Sequence, residues 1–93
     1  MEDWGDALII PAFTDLHIHA PQIINRGIGY DKELLPWLET YTFPAEARFA
    51  DSSFADRAWK AFLNHLWAVG TLRFAAFATV HKEAAWRLME LSE

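Results

Sequence analysis

Phe13-Thr14-Asp15-Leu16-His17-Ile18-His19-Ala20-Pro21-Gln22 is the stretch on which the fold turns, because apolar strand chemistry and metal-ligand chemistry meet in it. A strand sends alternate side chains to opposite faces, which puts Phe13, Asp15, His17 and His19 on one face and Thr14, Leu16, Ile18 and Ala20 on the other. At a rise of ~3.3 Å per residue, positions two apart have Cβ atoms roughly 6–7 Å apart, within reach of one ion about 2.0–2.1 Å from each nitrogen. The same spacing suits two histidines with no metal between them. The pair alone leaves both readings open.

Working outward, the spacing predicts a strand over residues 8–20, entered through Pro11, which a strand tolerates near its start but not in its hydrogen-bonded middle. A loop to Asp31 follows, punctuated by Pro21, Gly27 and Gly29. Asp31 is the expected cap of a short helix from residue 32 or 33 to about 42, with Pro36 near its first turn. Residues 42–49 read as an irregular excursion, since Phe43 stands before Pro44, with room for one helical turn over residues 45–49. Trp59, Phe62, Leu63, Leu66 and Trp67 then recur at helical intervals, with Ser53 as the expected cap and Gly70 as the stop.

A second strand is expected from Thr71 to about Val80, with Leu72, Phe74, Ala76, Ala78 and Val80 on one face. Thr71, Arg73, Ala75, Phe77, Thr79 and His81 fall on the other, where a buried Arg73 would demand a carboxylate partner. A last helix runs from residue 82 or 83 to 91. The order βαβα, with so long a crossover, implies two neighbouring parallel strands. The fold class is therefore α/β.

Composition sets the outer bounds. Ninety-three residues make one domain at most, and 53% hydrophobic residues with 5 Trp and 7 Phe is a rich apolar content for that length. A net charge of -5 without a Lys/Arg cluster excludes a nucleic-acid surface. The absence of cysteine removes disulfides and thiolate ligands together and suits a reducing, cytoplasmic setting. The acidic start Met1-Glu2-Asp3-Trp4-Gly5-Asp6 lacks the pattern of a signal peptide, and Arg73 interrupts the best apolar run, so no membrane partner is expected.

Residues 9–19, Ile-Ile-Pro-Ala-Phe-Thr-Asp-Leu-His-Ile-His, resemble the first barrel strand of the amidohydrolase superfamily. The continuation through Gln22, Gly27, Gly29 and Asp31, and above all the block from Trp37 to Phe49, is similar to the guanine deaminase family. The resemblance implies a TIM-like (β/α)8 metal-dependent hydrolase barrel of which these residues are the first two βα units, about a quarter. A complete barrel needs about 200–250 residues or more, so the flanking β-domain and the remaining strands are expected to be missing. Ala12 in place of a usual glycine, and Thr71-Leu72-Arg73 in place of small polar residues, depart from the family pattern away from the histidine pair.

The resemblance further implies that His17 and His19 bind zinc, only partly coordinated here because other ligands and the proton-transferring groups come from later strands. Gln22 matches the glutamine that meets the purine edge, and Trp37 a tryptophan that walls the guanine pocket; the alternative for Trp37 is ordinary burial on a helix. Asp15 and His81 are candidate second-layer groups that orient the ligands, although Asp15 suits a backbone hydrogen bond equally well. No catalytic residue falls in the segment, and neither Arg48 nor His65 acquires a role. Guanine is the implied small-molecule substrate. The rival reading is a non-catalytic chain that self-associates through its apolar surface and open strand edges, so a homo-oligomer, or association with the rest of an enzyme, is expected.

Overall fold

The computed structural model describes residues 1–93. Two strands, β1 (Phe13–His19) and β2 (Thr71–Phe77), pair in parallel, and helices cover one face of the sheet. A 3-10 turn (Ala20–Ile24) follows β1 directly. A run of short helical turns then leads from Leu34 to Ala50, before the long helix α3 (Ser52–Ala68), β2 and the last helix α4 (Lys82–Leu91).

Pairing begins at Phe13, whose N–H donates to the Gly70 carbonyl at 2.9 Å, and Phe13 stands beside Thr71. The strand expected from residue 8 is therefore shorter: no partner strand lies alongside residues 8–12, and Pro11 has no N–H to give to one. β2 likewise stops at Phe77 rather than near Val80, because its neighbour there, His19, is the last residue of β1. The register shifts twice, between Phe13 and Thr14 and between Asp15 and Ile18. These bulges break the strict alternation expected of β1. Ile18 packs on the core whereas Leu16, expected to share its face, is 76% exposed.

The core sits between the sheet and α3. Ala55, Ala58, Trp59, Phe62 and Leu66 of α3 are buried with Ala20, Phe49, Ala84 and Leu88, and Ile18, Phe74 and Ala76 of the sheet pack against them. Trp59 is wholly buried, lies against Phe49 with ring centres 4.5 Å apart and planes tilted by 31°, and donates its indole N–H to the Ala84 carbonyl at 2.8 Å. Phe62 meets Phe74 edge to face at 5.6 Å, which fastens α3 to β2. Trp67 leaves the expected stripe and is 73% exposed; the buried face is rounded off by Ala55 and Ala58 instead. Asp56 bonds Lys60 on its own helix and Arg87 of α4, with 2.8 Å to the Arg87 guanidinium. Arg73 lies exposed on the open side of the sheet, where water solvates it without a carboxylate partner.

Asp51, not Ser53, caps α3. Its carboxylate accepts from the Ser53 and Phe54 N–H groups at 2.8 and 3.1 Å and from the Ser53 hydroxyl at 2.8 Å. These bonds, led by the Ser53 hydroxyl, hold the Asp51 carboxyl below its ordinary value. Residues 34–50 also differ from expectation. α1 (Leu34–Trp37) starts after Glu33, not at a cap by Asp31; a π-helical turn (Leu38–Thr42) follows, then α2 (Phe43–Ala47) and a 3-10 turn (Arg48–Ala50). The Phe43 N–H donates to Leu38, five residues back. That widened turn directly precedes Pro44, which has no N–H to continue the helical ladder, so the chain passes a proline without the break expected at residues 42–49.

Candidate functional site

The parallel register brings the C-terminal ends of β1 and β2 together, and the two histidines stand at that end. The His17 and His19 rings lie side by side with centres 5.3 Å apart and planes tilted by 54°. With about 2.0–2.1 Å from zinc to each nitrogen and roughly 1.1 Å from nitrogen to ring centre, two imidazoles on one tetrahedral ion have centres about 5 Å apart. The ring spacing is thus that of two imidazoles sharing one divalent cation, although the chain brings no third ligand: no group of three or more His, Cys, Asp or Glu side chains converges anywhere in it.

Phe77, beside His19 in the register, stacks on that imidazole at 4.7 Å with planes within 14° and sits 5.4 Å from His17. Asp15 spends a carboxylate oxygen on the His17 backbone N–H at 3.0 Å, the backbone alternative. His81 follows β2 at the same end but flanks the start of α4, where its carbonyl accepts the Ala85 N–H at 3.0 Å. It borders a groove of about 760 Å³ on the helical side with Phe49, Lys82, Trp86 and Arg87. The structure brings His17 and His19 together and leaves His81 outside a ligand cluster. His65 is exposed on α3.

Gln22 sits half-buried in the 3-10 turn that continues β1. Two contacts fasten that turn and the loop after it to the helical run. Asn25 and Thr42 are both buried, and the Asn25 amide nitrogen donates to the Thr42 hydroxyl at 3.1 Å while the Asn25 Oδ1 has no partner. Trp37 donates its indole N–H to the Ile28 carbonyl at 2.7 Å. Gly29 is enclosed by the same rings: at φ +76° a Cβ there would meet Tyr41 at 2.5 Å and Trp37 at 2.8 Å, so only glycine fits. Trp37 therefore has its N–H committed, and only its ring is free to face a ligand.

Three contributors were not singled out by sequence. Asn25 and Thr42 look like ordinary loop and helix residues until their seventeen-residue separation closes. Phe77 carried a signal, since the two-residue alternation places it on the histidine face, but the register that sets it beside His19 needs the bulges. Arg48 has a structural contact: its guanidinium lies 4.1 Å over the Phe54 ring.

No family model matches the chain. It is similar to guanine deaminase from Dictyostelium discoideum, 43% identical over 89 residues, which are 96% of this chain and 20% of that protein. It is 38% identical to guanine deaminase from Escherichia coli K12 over 90 residues, 97% of this chain and 20% of the relative. The crystal structure of guanine deaminase from C. acetobutylicum with guanine bound in the active site superposes with a TM-score of 0.85 at 48% identity, over 88% of this chain and 20% of that one. The chain spans about a fifth of the length of the curated relatives it matches.

Proposed function

We propose, for a chain whose homologues are guanine deaminases and which spans about a fifth of them, that it supplies the His-x-His metal pair and part of the purine pocket of a zinc-dependent guanine deaminase. The reaction is hydrolytic: guanine and water give xanthine and ammonia. The observation that carries the reading is the side-by-side placement of His17 and His19, centres 5.3 Å apart, on the open face of a segment similar to an enzyme crystallised with guanine.

His17 and His19 are the residues that would hold the cation, each through one imidazole nitrogen. Zinc, when bound, would supply the Lewis acidity that makes water a nucleophile near neutral pH. Asp15 keeps the backbone at His17 in place by accepting the His17 N–H on its carboxylate. Gln22 faces the purine edge with an amide that donates and accepts at once, and Trp37 offers the flat ring on which a base packs. The metal ligand and proton-transfer set is completed from outside these residues.

Replacing the matched segment of the Escherichia coli enzyme by this chain tests the assignment. The hybrid is expected to form xanthine, to lose activity on His17→Ala or His19→Ala, and to show a raised KM for guanine on Gln22→Ala. A folded hybrid that turns over guanine as well with His17→Ala as without it would sink the reading.

A second reading is a self-associating module without activity of its own. Its support is the open two-stranded sheet and large exposed apolar side chains such as Tyr30, Leu34, Leu35, Trp67 and Trp86. Light scattering after gel filtration is expected to give oligomers for the isolated chain. No helix of the structure is long and apolar enough to cross a membrane.

A further inference from the structure

We propose that Phe77 is a positioning residue for the histidine pair: its ring is a platform that fixes the orientation of His19, and with it the direction in which the pair presents nitrogen to a divalent cation. The proposal rests on the reading of His17 and His19 as metal ligands. A metal-binding histidine is ordinarily oriented by a hydrogen bond from its other ring nitrogen to a carboxylate or carbonyl. Neither imidazole has one within this chain: Asp15, the nearest carboxylate in sequence, accepts the His17 backbone N–H and not a ring N–H.

What each ring does have is Phe77, nearly parallel to His19 at 4.7 Å and tilted against His17 at 5.4 Å. Both distances fall in the range of attractive aromatic pairs. Imidazole rotation about the Cβ–Cγ bond is broad and soft, so an exposed strand histidine lacks one preferred ring orientation unless a neighbour selects it. The parallel register supplies that neighbour by setting Phe77 beside His19. Phe77 is also 57% exposed and absent from the core, where Phe74 meets Phe62 from the other face. Its burial therefore contributes little to folding, and its platform role is separable from stability.

The 93-residue chain itself serves for the test, with Phe77→Leu, which keeps apolar bulk but removes the flat face, and Phe77→Tyr, which keeps the ring. NMR couplings and ring-to-ring contacts of His19, recorded without metal, read the orientation; titration with zinc alone reads the affinity. Phe77→Leu is expected to average the His19 rotamers and weaken zinc binding about three- to tenfold, the scale of one aromatic contact, with an unchanged melting temperature. Phe77→Tyr is expected to restore both. Wild-type rotamer populations and affinity in Phe77→Leu, or a loss of affinity matched by unfolding, would overturn the platform. A wild-type zinc affinity untouched by His17→Ala would instead overturn the ligand reading, while the metal-free rotamers still judge Phe77 separately.

Discussion

On one face of the sheet Ile18, Phe74 and Ala76 meet Phe62 and the buried side of α3; on the other, His17, His19 and Phe77 meet one another and solvent. The first face holds the apolar contacts that order the chain, including Trp59 with its satisfied indole N–H. The second buries little and holds the His17–His19 pair and the Phe77 ring side by side. Strand alternation lets one pair of strands serve both ends, because neighbouring residues such as Ile18 and His19 answer to different demands. Substitutions on the two faces should then fall into different classes of effect.

The largest expected effect is on the covered face. Trp59→Ala removes a wholly buried indole, its hydrogen bond to Ala84 and its packing on Phe49, and should cost about 3–5 kcal/mol. Urea unfolding followed by near-ultraviolet circular dichroism is expected to show loss of the cooperative transition; a transition near that of the wild type would show that the core lies elsewhere. Next, Thr42→Val leaves the buried Asn25 amide without its partner and should cost roughly 1–3 kcal/mol. Because that contact fastens the Gln22 turn to the helical run, the matching variant of the enzyme hybrid should raise KM for guanine more than it lowers kcat.

Acid sharpens the contrast further. The Asp51 carboxyl is depressed by the Ser53 hydroxyl and neighbouring N–H groups, and that of Asp56 by hydrogen bonds from Lys60 and then Arg87. A carboxyl whose folded pKa lies below its unfolded value stabilises fully above the unfolded value of ~3.9, and that contribution is lost as pH falls through the depressed folded value. Asp51 is exposed and Asp56 only half-buried, so the drop in melting temperature below about pH 4 should be modest and smaller at high salt. Asp51→Asn is expected to flatten it while keeping the cap. Smallest of all in stability is His17→Ala: an exposed ring on the open face should change unfolding by no more than about 0.5 kcal/mol, checked in the same urea series.

Much of the covered face was legible in the sequence, because burial imposes periodicity. Trp59, Phe62 and Leu66 recur at helical spacing and are buried as expected, and the alternation in the two strands, with the long crossover between them, led to parallel pairing. What escaped was set by competition among local devices. Asp51 and Ser53 are both good caps two residues apart, and the carboxylate wins by accepting three donors at once. The passage through Pro44 was hidden because a π-helical turn is rare, and the strand start at Phe13 because it depends on where a distant partner begins. The placement of His17 and His19 together on the open face, with Phe77 on the same face, was legible from strand alternation, whereas the register that sets Phe77 beside His19 and the buried Asn25–Thr42 contact were not, since they join residues far apart in the chain.

Calorimetric titration of zinc into the chain at neutral pH, repeated with His17→Ala, His19→Ala and His81→Ala, tests most directly whether the open face is the seat of the chemistry. Two imidazoles are fewer than the three protein ligands a catalytic zinc takes, so the account predicts weak one-to-one binding that disappears in the first two variants and persists in the third. A tight complex that survives His17→Ala, or one that vanishes with His81→Ala, would contradict it.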